Sequence, residues 1–153
     1  MVGIWVVLGV LVAGLVAGAV MRARNGRIRE VTTAPRHTLP GPVADVLDAA
    51  APVTLVQIST TFCAPCRHAR AVLEPLAERT EGLRHVELDV TNQPEVAQEL
   101  RVLRTPTTIA FSPDGTELLR IDGVPKGPAV LEALDKHLSG VHLVNEVPTD
   151  RDR

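Results

Sequence analysis

The sequence predicts an α/β domain, built on a central mixed sheet flanked by helices and preceded by one membrane-spanning helix. Three observations carry that expectation. Val2 to Met21 is a run of twenty residues without a charge. Beyond residue 42, β-branched runs alternate with stretches of helical spacing, the pattern of strands joined by helices. The last two strands flank Ser112-Pro113-Asp114-Gly115, a tight-turn sequence, so they pair antiparallel, whereas strands joined through helices pair in parallel.

Composition narrows the function classes. A chain of 153 residues holds one globular domain plus additional segments. With 45% hydrophobic and 22% charged residues it can bury a core, which excludes wholesale disorder. Sixteen Lys and Arg against eighteen Asp and Glu give a net charge of −2, and Trp5, Phe62 and Phe111 are the only aromatics. That balance argues against a nucleic-acid partner. Two cysteines are too few for a disulfide-dense secreted scaffold. The charge is uneven: residues 22–36 carry five Arg and one Glu, whereas residues 37–153 carry a net −6.

Residues 2–21 reach about 30 Å as a helix, the thickness of a bilayer's hydrocarbon core. A cleaved signal peptide is the rival, and Ala17-Gly18-Ala19 fits its cleavage pattern. The run is longer than the usual signal core, and no basic side chain precedes it, so a span is the stronger reading. Arg22, Arg24, Arg27 and Arg29 all follow the span, which predicts a cytoplasmic soluble domain among anionic lipid headgroups; an extracytoplasmic domain is the alternative. Gly14 and Gly18 form a G-x-x-x-G pair that suits a weak helix dimer, although glycine is common in membrane helices and Gly3 and Gly9 lie in the same run.

Residues 22–42 read as a basic, proline-containing linker with Pro35, Pro40 and Pro42, extended and partly mobile. The domain spans 43–140. Val43–Ala51 predicts a short helix opened by Pro42 and ended by Pro52. Val53–Ser59 is almost continuously apolar and β-branched, as a central buried strand is. From Cys63 to about Thr80, Ala69, Val72, Leu73, Leu76 and Ala77 share a helical face, with Pro75 set to kink it. Leu83–Val90 is a second strand, and Asn92 and Pro94 open a helix through about Val102. Thr107–Phe111 and Glu117–Ile121 are the hairpin strands. Gly127-Pro128 opens a last helix with Val130, Leu131, Leu134 and Leu138 on one side, and residues 141–153 read as a flexible tail.

Cys63-Ala64-Pro65-Cys66 stands where a strand gives way to a helix. In that context the spacing reads as a redox dithiol. Residues three apart in a first helical turn face the same way, so the sulfurs can bond. The helix N-terminus offers unpaired N–H groups and a positive dipole end, which lower the pKa of the first thiol, and only the thiolate attacks a disulfide. Pro65 has no N–H to lose there. Cys63, nearer the exposed end, is the expected nucleophile, Cys66 the resolving thiol, and Arg67 one turn on adds positive charge. Structural zinc wants four ligands, and His37, His68, His85, His137 and His142 are too scattered to complete a set. Haem attachment needs C-x-x-C-H, which Arg67 interrupts. His68 reads as a plain helix residue. No metal is expected.

At these residues the chain resembles the thioredoxin family. The resemblance runs from about Val43 to Leu138 and rests on Thr54–Ile58 before Phe62–Cys66, on Val102–Thr107, on the Asp114-Gly115 hairpin and on Gly123. With the preceding helix, it is similar to membrane-anchored bacterial thioredoxin-like proteins. The resemblance implies a thioredoxin-like fold and a thiol–disulfide oxidoreductase that reduces protein disulfides, uses no cofactor beyond its own Cys63–Cys66 disulfide and is recharged by a thiol reductant. It places the family's cis-proline at Pro106, beside the dithiol, and has the backbone at Thr105 pair with substrate. Phe62, Ala64 and Pro65 complete the support of the site.

The sequence departs from the family in four places. Phe62 replaces the usual Trp, and Ala64 replaces the Gly between the cysteines. Gln57 stands where the family has a buried Asp that moves the resolving thiol's proton, and Glu87 stands where it has the partner Lys. Glutamine cannot carry that proton, so Glu87 is the candidate to do so, directly or through a water. The plainer reading turns Glu87 to solvent, because burying a carboxylate is costly. A redox-weak binding module on the same fold is the alternative function.

Overall fold

The computed structural model describes residues 2–30 and 39–139. The tail at 141–153, the middle of the expected linker, His37 and His142 lie outside the described residues. Helix α1 runs over Val2–Arg24, followed by β1 (Arg27–Glu30), α2 (Gly41–Ala44), β2 (Val53–Ser59), α3 (Ala64–Arg79), β3 (Leu83–Asp89), α4 (Pro94–Glu99), β4 (Thr107–Phe111), β5 (Glu117–Asp122) and α5 (Gly127–Leu138).

The five strands form one mixed sheet in the order β1-β5-β4-β2-β3. Strand β2 pairs in parallel with β3 and antiparallel with β4, and β4 pairs antiparallel with β5. All seven residues of β2 are buried, as its unbroken apolar run requires. Side chains alternate across the sheet. Val53 and Leu55 meet Leu73 of α3 and Val130 and Leu134 of α5 on one face. Val56, Ile58, Ile109 and Phe111 meet Val43, Val96 and Leu100 on the other. Gln57 belongs to the α3 face, and the site is built there.

Three differences from the sequence expectation matter to the fold, besides shifts of one to three residues at other ends, such as α1 running on to Arg24 rather than Met21. Residues 27–30, expected within a linker, form β1 and pair antiparallel with β5 from Arg27↔Asp122 to Glu30↔Leu119. Ile28 packs on the core between two exposed arginines. One apolar residue among four is too short a pattern to reveal a strand; the unpaired edge of β5 supplies the hydrogen bonds that make it one. Helix α2 stops at Ala44 rather than Ala51. The chain turns instead at Asp48, whose Oδ1 accepts from the Ala50 N–H at 2.9 Å. Helix α4 ends at Glu99 rather than near Val102. Arg101 takes a φ of +54°, and the Val102 N–H turns back to the Ala97 carbonyl at 2.7 Å, closing the helix.

Phe111 is 1% exposed and the bulkiest wholly buried side chain. Replacing it with alanine removes a ring that the core cannot refill. Phe111→Ala is expected to lower stability by about 3–5 kcal/mol, read as a reduced urea midpoint with an unchanged slope.

Candidate active site

Strand β2 ends at Ser59, and after four intervening residues the chain enters α3. That loop carries the chemistry. Cys63 is the N-cap of α3 in extended conformation, and its Sγ accepts from the Cys66 N–H at 3.2 Å. Its own N–H is donated to the Thr60 carbonyl at 3.0 Å. The two cysteines are joined by a disulfide. They are not equivalent: Cys63 is half-buried, whereas Cys66 is 2% exposed. Pro65 occupies the first turn of the helix, where a missing N–H costs nothing.

Beneath the pair lies Gln57, which is completely buried. Its Nε2 donates to the Cys66 carbonyl at 3.1 Å and approaches Glu87 Oε1 at 3.4 Å. Its Oε1 lies 3.3 Å from His85 Nε2, so the ring presents its N–H there. Glu87 sits on the outer strand with its side chain 28% exposed and pairs with Arg70 at 3.5 Å, and Arg70 also binds Glu74 at 3.3 Å. Cys63, Cys66, Arg67, Arg70, His85 and Glu87 together line an open cleft of about 640 Å³.

Most of the residues singled out from sequence thus meet at one place. Cys63, Cys66, Gln57 and Glu87 are joined directly or through one hydrogen bond, and Arg67 lines the same cleft. The Thr105–Pro106 peptide is cis, as the resemblance implied. Pro106 is buried, and Thr105 Oγ1 lies 3.5 Å from Thr60 Oγ1, beside the loop that carries Cys63. Phe62 stands apart: it is 93% exposed and does not line the cleft. Ala64 is exposed, and so is His68 on the outer side of α3. Among the described residues no group of three or more His, Cys, Asp or Glu is placed to hold a metal ion.

Sequence reasoning missed His85, Arg70 and Glu74. The first was legible in principle. Residues 85 and 87 share one face of a strand, so placing Glu87 near Gln57 also places His85 there. Arg70 and Glu74 approach only because α3 crosses over β3.

Burial pushes the His85 pKa below its ordinary 6.5, against the pull of Glu74 and Glu87 and with help from Arg70. The ring is therefore held neutral, consistent with its N–H donated to Gln57.

A helix-capping dithiol over a mixed sheet, with a cis-proline loop beside it, defines a thiol–disulfide exchange protein. Residues 43–136 match the thioredoxin family model, and the chain belongs to that family. It is 38% identical over 87 residues to a thioredoxin of Staphylococcus aureus, a match covering 56% of this chain and 83% of that protein. A thioredoxin structure from Halobacterium salinarum superposes with a TM-score of 0.53 at 24% identity, covering 59% of this chain and 78% of the other. One from Nicotiana alata gives 0.50 at 27%, covering 56% and 73%. With its C-x-x-C pair intact, the chain is a thiol–disulfide oxidoreductase. The family takes protein disulfides as substrates, draws on a reductant and needs no external cofactor.

The half-buried, neutral His85 makes stability depend on pH. Its folded pKa lies below its unfolded one, so the unfolded chain binds the proton more readily. Its contribution is complete above about pH 6.5 and is lost as pH falls through the lower folded value. Urea unfolding between pH 8 and about 5 should show this decline, and His85→Gln should flatten it.

Proposed function

We propose that the protein is a membrane-tethered reductase of protein disulfides, in which Cys63 attacks and Cys66 resolves. The asymmetry of the pair carries this reading. Cys63 is half-buried at the helix cap, where the Cys66 N–H and the positive end of α3 stabilise negative charge on its sulfur. Cys66 lies beneath it. A Cys63 thiolate attacks one sulfur of the substrate disulfide, and the other leaves as a thiol. Cys66 then attacks the Cys63 sulfur, releases the second thiol and re-forms the Cys63–Cys66 disulfide. Two electrons pass to the substrate, and a thiol reductant returns them.

Gln57 holds the Cys66 carbonyl and does not carry the proton. Glu87 takes the proton of Cys66, directly or through a water. The support is its carboxylate, 3.4 Å from the amide that grips the same residue. Thr105 and Pro106 flank the dithiol loop and offer the backbone on which a substrate chain rests.

Helix α1 supports the tether. Its candidate span runs from Gly3 to Ala23, uncharged as far as Arg22, and its most apolar stretch is not buried by the rest of the chain. Arg22, Arg24, Arg27 and Arg29 after it favour a cytoplasmic domain among anionic headgroups. The open face over Gly14 and Gly18 suits weak pairing with a second copy.

Equilibration against a thiol buffer tests the direction of electron flow. A potential near about −270 mV, the thioredoxin value, supports a reductase, whereas about −120 to −180 mV makes the protein an oxidant or isomerase. Cys63→Ser should abolish turnover, and Cys66→Ser should accumulate a mixed disulfide visible on a non-reducing gel. Glu87→Gln should lower turnover by about 10²-fold or more and remove one limb of the pH–rate profile. Unchanged turnover and profile would exclude Glu87 from the proton's path.

A further inference from the structure

We propose that the dithiol end of the domain is held against the bilayer, and that its substrates are disulfides in membrane-surface segments of proteins embedded in that same bilayer. This rests on the tethered reading above and adds where the site points and what it can reach.

The argument begins with strand register. Arg27 of β1 pairs with Asp122 of β5, Asp122 pairs with Thr107 of β4, and Thr107 pairs with Ile58 of β2. These four residues form one row across one end of the sheet. At the β1 side of the row the chain arrives from α1. At the β2 side it leaves for Cys63, five residues beyond Ile58, and Thr105–Pro106 leads into the row at Thr107. The helix exit and the dithiol therefore project from the same end. Three strand spacings separate them laterally, about 14 Å.

The junction leaves little slack. Only Asn25 and Gly26 stand between α1 and β1. The Asn25 N–H is still bonded to the Met21 carbonyl at 3.2 Å, and the Gly26 N–H is already bonded to Asp122 at 2.8 Å. Gly26 has a φ of +71°, and a Cβ there would meet the Val124 carbonyl oxygen at 2.6 Å. The Gly123 N–H, next along, is donated to the Pro106 carbonyl at 2.8 Å. The turn that follows the membrane helix is thus tied by backbone hydrogen bonds to the loop beside the dithiol.

The same end carries Phe62, 93% exposed, and Leu103, 97% exposed. Among the described residues these are the exposed large hydrophobics outside α1. One precedes Cys63, and the other lies two residues before Thr105, so each stands on a loop that borders the site, outside its cleft. A soluble substrate must enter the gap between this end and the lipid. A segment emerging from the bilayer begins in that gap, and apolar residues beside its cysteines meet Phe62 and Leu103.

The test uses the full chain, reduced and freed of reductant, in lipid vesicles. The probe is a single-span peptide in the same bilayer with a fluorogenic disulfide about three residues outside the hydrocarbon. A second probe carries the disulfide beyond a rigid twenty-proline spacer, about 60 Å out. In a single turnover the dithiol gives two electrons and its two protons to the probe, whose sulfurs become thiols while Cys63–Cys66 becomes a disulfide. The near probe should react at least about tenfold faster than the far one at equal surface density. A flexible insert of about twenty Gly and Ser residues between Arg24 and Asn25 should erase that preference without lowering the rate on a soluble peptide disulfide.

Equal rates for the two probes with the parent chain, or a preference that survives the insert, overturns the inference alone. Failure of the chain to float with vesicles overturns the tethered reading, and the inference falls with it. Phe62→Trp in a Trp5→Phe chain distinguishes the remaining case. Quenching by brominated lipid with no probe present would make the apolar pair a lipid contact and overturn its role in receiving substrate.

Discussion

The structure depends on the wholly buried strand β2. It is hydrogen-bonded on both sides, to β3 in parallel and to β4 antiparallel, and both of its faces are covered. Burial on both faces sets its register, because a slip of one residue would exchange the α3 face for the other throughout. That register puts the buried amide of Gln57 under the first turn of α3 and ends the strand four residues before the capping cysteine. The reactive loop is short, closed by the Cys63 N–H on the Thr60 carbonyl and tied to its neighbour through Thr61 and Thr91.

A buried polar side chain must find partners, and Gln57 finds three. A carboxylate at this place would be costly to bury; the neutral amide is not, provided that both its ends are bonded. The Nε2 takes the Cys66 carbonyl and faces Glu87, and the Oε1 faces His85. With an amide in the core, the ionisable groups beside it lie one strand out, on β3, where Arg70 of α3 pairs with Glu87 and is itself paired with Glu74. The titratable chemistry of the site consequently lies along its open cleft rather than in the core.

The edge strands explain the different fates of the sheet's two sides. On one side β1 covers β5, which joins the apolar helix to the domain through two residues. On the other side β3 bears His85 and Glu87 and faces the cleft. One edge carries the apolar helix, and the other carries the ionisable side chains that line the cleft beside the dithiol.

Much of this was written in the sequence, for local reasons. Strands β2 and β4, the start of α3 at Cys63, the turn at Asp114-Gly115 and the start of α5 at Gly127 follow from apolar runs, caps and turn residues, each of which acts within a few positions. The dithiol was legible because its function is itself local: two sulfurs three residues apart at a helix start. What the sequence alone did not determine is what depends on distant edges meeting. Residues 27–30 are a strand only because β5 offers an unpaired edge ninety residues later, and α4 ends early because its chain turns back on itself at Arg101. The polar cluster of Gln57, His85, Glu87, Arg70 and Glu74 comes from three elements and has no single stretch of chain to betray it. Local propensity and periodicity decide which elements form; only long-range pairing decides which edges are covered and which side chains share a cleft.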